Sequence, residues 1–338
     1  MALTQIRHAL FLPLLLFVSL AHAHEVRPGY LEFAETSSGD LRIIWRQPIA
    51  GNYAVPLNPD ISTGWLRAEP FSSVRTTGAL TREWHVPAPH ADLAGATVEV
   101  QGLERSITDV LLRVVYADGT EVTQVLSPAT PRLIVAGAAR TELPIRQYLA
   151  LGFTHIWGGL DHLLYVVGLV LLVRDRRTLV KTITAFTIAH SMSLAGAVLG
   201  YVHVPSAPVE ASIALSILYV AAEAANARHV EDHLARRSPW MIAFCFGLLH
   251  GLGFAGALSE VGLPSHDIPM ALLLFNIGIE IGQLTFVASL LLAAKILWRV
   301  VPALTRRMSW APPYVIGSLA SFWLIERVQV IFWSTSQL

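Results

Sequence analysis

Long apolar segments in the C-terminal part of the chain constrain its fold more than any other feature. From Leu143 onward, six segments are each long enough to cross a bilayer, which takes about 20 mainly apolar residues. Hydrophobic residues make up 54% of the chain and charged residues only 14%, far from the balance of a soluble domain. We therefore predict a polytopic all-α membrane bundle of six transmembrane helices within residues 143–338, with spans at about 146–173, 179–201, 208–227, 240–261, 268–298 and 312–333.

The first 142 residues have a different character. Residues 1–23 resemble a secretory signal peptide, with Arg7 before an apolar stretch and a small-x-small cleavage site at Ala21-His22-Ala23. Residues 24–142 contain about seven strand-like alternations separated by Pro and Gly. The pair Asp118-Gly119 is a hairpin signal within them. We predict that this region is a small all-β, antiparallel sandwich domain, exported to the periplasm and tethered to the helices.

The charges between the apolar segments predict the orientation. Links after the first, third and fifth segments carry Lys and Arg, whereas the links at 201–208 and 259–269 carry neither. Because basic residues are enriched on the cytoplasmic side, the odd-numbered links should be cytoplasmic. The chain is then a multi-pass protein of the bacterial inner membrane, with residues 24–142 and the C-terminus both periplasmic.

The overall charge and the missing motifs exclude several functions. The formal net charge is zero and there is no polybasic tract, so nucleic acid is not an expected partner. Cys245 is the only cysteine, which excludes an intrachain disulfide. The sequence has no phosphate-binding loop for ATP. The expected partners are the lipid bilayer and a metal ion, and no pattern identifies a partner for the β domain.

Ionisable residues inside the apolar segments are the strongest functional signal. Such groups cost about 2.5–3.5 kcal/mol in hydrocarbon, so they normally face a cavity and serve a function. On one continuous helix, His155 and His162 would share a face, with Asp161 about 100° round it. A single buried histidine can also be a packed, hydrogen-bonded residue. Several at similar depth favour a metal site, and the candidate ligands are His155, Asp161, His162, His190, His250 and Glu280.

Three further intramembrane residues are candidate accessory residues. Asn276 shares a helix face with Glu280. Glu223 belongs to a polar stripe that is equally well explained as a packing face. Arg327 should pair with a carboxylate from another helix, Glu280 or Asp161, and gate the site; simple snorkelling to the headgroups is the alternative.

Three histidines outside the apolar segments are candidates for capture and release of metal. If cleavage follows Ala23, the amine and imidazole of His24 could chelate an ion, although an ordinary exposed histidine is the alternative. His229 and His233 lie in a cytoplasmic link and could receive the ion there. For these two, the alternative is a solvated run of charge.

The types of candidate ligand restrict which metal ions could bind, but they do not identify one ion. Imidazole and carboxylate suit divalent zinc, nickel, cobalt or iron, and the scarcity of thiol and thioether argues against copper(I). An ion that is bound and released would indicate a permease. Two other functions stay open: a membrane metalloenzyme that activates water at a His-bound metal, and an electron carrier with histidine-ligated haem.

Four motifs in order resemble the HupE/UreJ family of membrane proteins over about 145–333. The first is His155-x3-Gly159-x-Asp161-His162, with Ile156 where the family signature has proline, so we expect Gly158-Gly159 to supply the kink. The others are Phe186-Thr187-x-Ala189-His190-Ser191, Phe246-Gly247-x2-His250-Gly251-x-Gly253-Phe254-Ala255 and Phe275-Asn276-x-Gly278-x-Glu280-x-Gly282-Gln283.

This resemblance implies a non-enzymatic permease for nickel, or cobalt, in support of hydrogenase or urease maturation. It implies metal ligation by His155, Asp161, His162 and His190, and less directly by His250 and Glu280. An exported N-terminal domain is similar to the extension found in one branch of the family.

Reporter fusions after Ser206 and after Arg237 test the predicted orientation. The charge asymmetry places Ser206, in the link at 201–208, in the periplasm and Arg237, in the next link, in the cytoplasm. Reporters that are active on one side only should therefore give opposite readings at the two positions. Identical readings would contradict the topology.

Overall fold

The computed structural model divides into a β-rich unit and a helical unit. The predicted signal peptide and the candidate residues His24, His229 and His233 lie outside the described residues. Those residues are 28–36, 39–50, 53–75, 79–87, 93–106, 108–135, 145–173, 175–202, 204–226, 237–259, 268–303 and 310–335.

The described part of the β-rich unit contains ten strands in two sheets. The larger sheet has the order β5-β6-β2-β1-β8-β9, with β3 paired to β2, and the smaller has the order β10-β7-β4. One apolar cluster includes residues of both sheets, such as Phe33 and Trp45 from the larger and Val98 from the smaller. The strands are β1 (Gly29–Glu35), β2 (Leu41–Ala50), β3 (Tyr53–Ala54), β4 (Asn58–Ile61), β5 (Ser72–Arg75), β6 (Ala79–Val86), β7 (Thr97–Gln101), β8 (Val110–Val115), β9 (Glu121–Leu126) and β10 (Arg132–Ile134).

The N-terminal β region is confirmed, but its pairing differs from the prediction. β1 and β8 pair in parallel, so the region is not wholly antiparallel. Strands of two to four residues, such as β3 and β10, are too short to show alternation in sequence, which explains the low predicted count. The Asp118-Gly119 hairpin joins β8 to β9 as expected, with Gly119 at φ +79°. The sandwich architecture stays a prediction.

A buried polar network crosses the centre of the larger sheet. The carboxylate of Glu32 accepts hydrogen bonds from the Tyr30 hydroxyl and from the guanidinium groups of Arg42 and Arg113. Arg113 donates a further bond to Glu121 at 2.7 Å. These side chains tie β1, β2, β8 and β9 together. Burial, followed by the Glu32 carboxylate, raises the pKa of Tyr30 above its ordinary value.

The described part of the helical unit is an assembly of packed helices. The first two are separated by a break of one residue and are bent by 74°. The helices are α1 (Ile145–Gly158), α2 (Leu160–Leu172), α3 (Arg176–Val198), α4 (Ser206–Ala225), α5 (Pro239–Ser259), α6 (Ile268–Val300) and α7 (Ala311–Thr335).

Among the described residues, three or four membrane spans replace the six that were predicted. By length and apolar content α4, α6 and α7 can each span, and the bent pair α1–α2 adds a fourth if it counts as one span. α3 falls short because Arg176, Arg177 and Lys181 begin it and hydroxyl side chains recur along it. In α5 the apolar part is the stretch Pro239–Gly253, which is shorter than a membrane span.

Glycines set the closest approaches between the helices. A Cβ at Gly247 would meet the backbone carbonyl of Phe186, and one at Gly251 would meet that of His190. The Gly247-x3-Gly251 pair is therefore a close-packing surface between α5 and α3. Because the contact falls at His190, this packing also fixes the position of a candidate ligand.

The Tyr30 network predicts a loss of stability at alkaline pH. An unfolded chain releases the Tyr30 proton near pH 10, whereas the folded chain retains it, because its folded pKa is raised. The contribution is complete below that pH, and the free energy of unfolding should fall by about 1.4 kcal/mol per pH unit above it. Urea titrations followed by tryptophan fluorescence, on wild type and Tyr30→Phe, measure this.

The slope should be shallower in Tyr30→Phe, because that variant has no proton to lose at this position. Other tyrosines contribute equally to both proteins and cancel in the comparison. Equal slopes in the two proteins would show that the Tyr30 hydroxyl is not held in its protonated form by the fold.

Candidate metal centre

The break between α1 and α2 brings two histidines together. Gly159 leaves the helical conformation, with φ −89° and ψ 97°. His155 lies in the last turn of α1 and His162 in the first turn of α2, and their ring centroids are 4.9 Å apart. The expected kink at Gly158-Gly159 is thus present. The two histidines lie on separate helices and not, as the spacing predicted, on one face of a continuous helix.

Gly159 is required at the break for steric reasons. A Cβ there would lie 2.9 Å from Nδ1 of His162 and 3.2 Å from Oδ1 of Asp161. Any larger residue would push against the side chains that follow the turn. The glycine therefore belongs to the construction of the site.

His190 from α3 completes a group of three buried imidazoles, which we call the histidine triad. One ligand nitrogen each from His155, His162 and His190 lies within 4.8 Å of the others. Metal–nitrogen bonds of about 2.0–2.1 Å bring ligand atoms of one ion closer together than this. Small rotations of the three rings would therefore close the group around an ion.

Asp161 lies behind the triad, against His162. Its Oδ1 accepts the backbone N–H of His162 at 2.9 Å and lies 3.1 Å from Nδ1 of the same residue. This leaves Nε2 as the nitrogen of His162 that is available for a metal. Carboxylates in this position orient a ligating imidazole and raise its basicity. Direct metal binding by Asp161 stays a prediction; in the structure its carboxylate contacts the ring of a second candidate ligand, His162.

His250 from α5 lies beside the triad but outside it. Its ring centroid is 5.1 Å from that of His162, and it packs against Tyr165 and Phe186. Its Nε2 lies 2.9 Å from Oγ of Ser216, a residue of α4. The Ser216 hydroxyl also reaches the Ile213 carbonyl at 2.6 Å.

The two contacts of Ser216 favour one tautomer of His250. A hydroxyl has one proton, and when it donates to the Ile213 carbonyl it can only accept from His250. Nε2 then carries the proton and Nδ1 keeps its lone pair. That Nδ1 atom is buried and makes no hydrogen bond with a described residue. Ser216 was not predicted as a site residue, although it lies one turn before Tyr219 and two turns before Glu223, on the polar face of α4.

Glu280 and Asn276 lie on α6, in the polar stripe that the sequence predicted. The Thr184 hydroxyl donates to Oε1 of Glu280 at 2.7 Å. The Asn276 amide donates to the Leu272 carbonyl of its own helix, and its side chain lies near His190. Neither residue belongs to the triad.

Arg327 has a partner that the sequence analysis did not consider. Its guanidinium donates to the backbone carbonyl of Glu210 at 2.9 Å, and Nε lies 3.9 Å from the Glu210 carboxylate. It also interacts electrostatically with Asp161, whereas Glu280 is bonded to Thr184. Glu210 was missed because only the packing of α7 against α4 reveals that the end of one lies beside the start of the other.

Glu223 lies in the last turn of α4, half-buried, and interacts electrostatically with Tyr219 one turn earlier. It is not part of the triad. Both interpretations of Glu223, as an accessory residue of the site and as part of a packing face, stay predictions.

The comparison with known families covers all of these residues. A family model described as "HupE / UreJ protein" matches residues 133–327, more than half of the chain. No curated protein and no solved structure matches. The matched range includes the triad, Asp161, His250 and Glu280, so the four motifs and the family model agree. The chain belongs to the HupE/UreJ family.

Proposed function

We propose that this protein is a permease that carries a divalent transition-metal ion, nickel or cobalt, across the membrane. The observation that carries the proposal is the histidine triad, three buried imidazoles from three helices whose ligand atoms lie within 4.8 Å of one another. Family membership supports it, because the HupE/UreJ family is one of metal transport and accessory proteins and not of enzymes. The ion would be supplied to metalloenzyme maturation.

The ligand atoms of the triad suit a divalent transition-metal ion. Neutral imidazole nitrogens suit divalent nickel, cobalt and zinc, whereas magnesium and calcium require oxygen ligands. All three histidines are buried, and neutral imidazole is the form of histidine that binds a metal ion. Asp161 places negative charge behind His162, which offsets part of the charge of the ion.

Uptake by this route needs no ATP. A divalent ion that moves inward gains about 5 kcal/mol per 100 mV, from ~2.3 kcal/mol for each charge. This free energy corresponds to an accumulation of more than about a thousandfold. We propose that the protein resides in the bacterial inner membrane with residues 24–142 on the periplasmic side, as the charged links and the signal-like N-terminus predict.

Metal binding and uptake by the purified full-length protein test the proposal. Wild-type protein in vesicles should take up Ni²⁺ or Co²⁺ under an inside-negative potential. His190→Gln removes one of three nitrogen ligands and should weaken equilibrium binding by about tenfold or more. His85→Gln is a matched control, because His85 is exposed on β6 and bonded to Glu83.

The same preparation separates the permease from the two other functions. A haem carrier would show a haem absorption spectrum, and a metalloenzyme would retain its ion at fixed stoichiometry without passing it into the vesicles. Wild-type protein that neither binds nor moves these ions would overturn the proposal. So would a His190→Gln variant with unchanged affinity.

A further inference from the structure

A stripe of amides and a carboxylate on α6 lies next to the histidine triad. Asn276, Glu280 and Gln283 are four and seven residues apart, so they share one face of the helix over about 10 Å. α3 contributes two hydroxyls to this face: Thr184 donates to Glu280 at 2.7 Å and Thr187 donates to Gln283 at 2.9 Å.

Two oxygen acceptors of this stripe are buried and make no hydrogen bond of good geometry with a described residue. The Asn276 side chain is 7% exposed, and its Nδ2 donates to the Leu272 carbonyl, which turns Oδ1 away from its own backbone. Oε1 of Glu280 is occupied by Thr184, whereas Oε2 is buried and accepts no hydrogen bond. Buried acceptors without donors are costly, and each calls for a ligand.

Asn276 lies next to the triad, and Glu280 lies one helical turn further along α6. Asn276 lies beside His190, whose two ring nitrogens are buried and make no hydrogen bond of good geometry with a described residue. Side chains at positions i and i+4 of a helix have Cβ atoms about 5–6 Å apart. An ion that leaves His190 would therefore meet Asn276 first and Glu280 next.

We propose that Oδ1 of Asn276 and Oε2 of Glu280 form a second, oxygen-lined position for the transported divalent cation, adjacent to the histidine triad. This inference rests on the proposed function. Thr184 is a positioning residue in it, because its hydrogen bond to Oε1 fixes the carboxylate and leaves Oε2 without a hydrogen bond to a described residue. The position takes the ion after the triad and before it leaves the membrane.

The ligand chemistry explains why two unlike positions serve transport better than one. Imidazole nitrogen binds nickel and cobalt more tightly than amide or carboxylate oxygen does. A site conducts an ion only if it binds the ion strongly enough to attract it and weakly enough to release it. The carboxylate of Glu280 attracts the positive ion from the histidines. The second position has fewer strong ligands than the triad, so it releases the ion more readily.

Equilibrium Ni²⁺ binding and vesicle uptake by the full-length protein test the second position. Wild type should bind one tight equivalent and a second, weaker one. Glu280→Gln removes the charge with little change of shape, so it should keep the tight equivalent, lose the weaker one and slow uptake by about tenfold or more. Asn276→Leu should weaken the second equivalent in the same direction.

Two further variants control for folding and for charge. Glu280→Asp keeps the carboxylate and should restore part of the uptake that Glu280→Gln loses, which a merely misfolded protein would not do. Glu326→Gln removes an exposed glutamate of α7 and should leave both equivalents and the uptake rate unchanged.

The outcomes separate this inference from the proposed function. If Glu280→Gln takes up Ni²⁺ at the wild-type rate, or loses the tight equivalent as His190→Gln should, then there is no separate second position. In either case the permease itself stands. If wild type neither binds nor transports Ni²⁺ or Co²⁺, the proposed function fails and the second position fails with it.

Discussion

The convergence of three imidazoles inside apolar helices is the constraint on which the helical unit depends. His155, His162 and His190 are buried, and polar groups are expensive to hold in such surroundings unless they serve a function. Two local features bring them together. The break at Gly159 turns α2 away from α1 by 74° while keeping His155 beside His162. Gly247 and Gly251 let α5 approach the backbone of α3 at the turns around His190.

Hydroxyl side chains complete the arrangement by fixing the groups around the triad. Ser216 holds Nε2 of His250, and Thr184 holds Oε1 of Glu280. In each case one atom of the functional group is satisfied and the other is left without a described partner. Serine and threonine are well suited to this, because within a helix they can also bond to a carbonyl one turn earlier. Hydroxyl groups on α3 and α4 thus hold polar side chains of α5 and α6 in place.

Much of this site could be predicted from the sequence, because intramembrane histidines are rare and their spacing is informative. The family motifs identified His155, His162 and His190, and the glycine pair at 158–159 indicated a kink. What spacing could not give was the consequence of that kink. On a continuous helix Asp161 points away from the histidine face, but after the break it lies against Nδ1 of His162.

The remaining differences have similar physical causes. The partner of Arg327 depends on which helices pack side by side, and sequence periodicity gives the faces of helices but not their neighbours. The apolar content of α3 was overestimated because its length was given more weight than the hydroxyl side chains that recur along it. In the β region, strands of two to four residues and the parallel pairing of β1 with β8 leave no periodic signal.

The central claim is that the histidine triad itself binds the metal ion, and X-ray absorption at the nickel edge tests it most directly. One equivalent of Ni²⁺ on the full-length protein should show imidazole scattering from three histidines, with metal–nitrogen distances of about 2.0–2.1 Å. In His190→Gln the imidazole contribution should fall to that of two. A spectrum with oxygen ligands alone, or one unchanged by His190→Gln, would contradict the account.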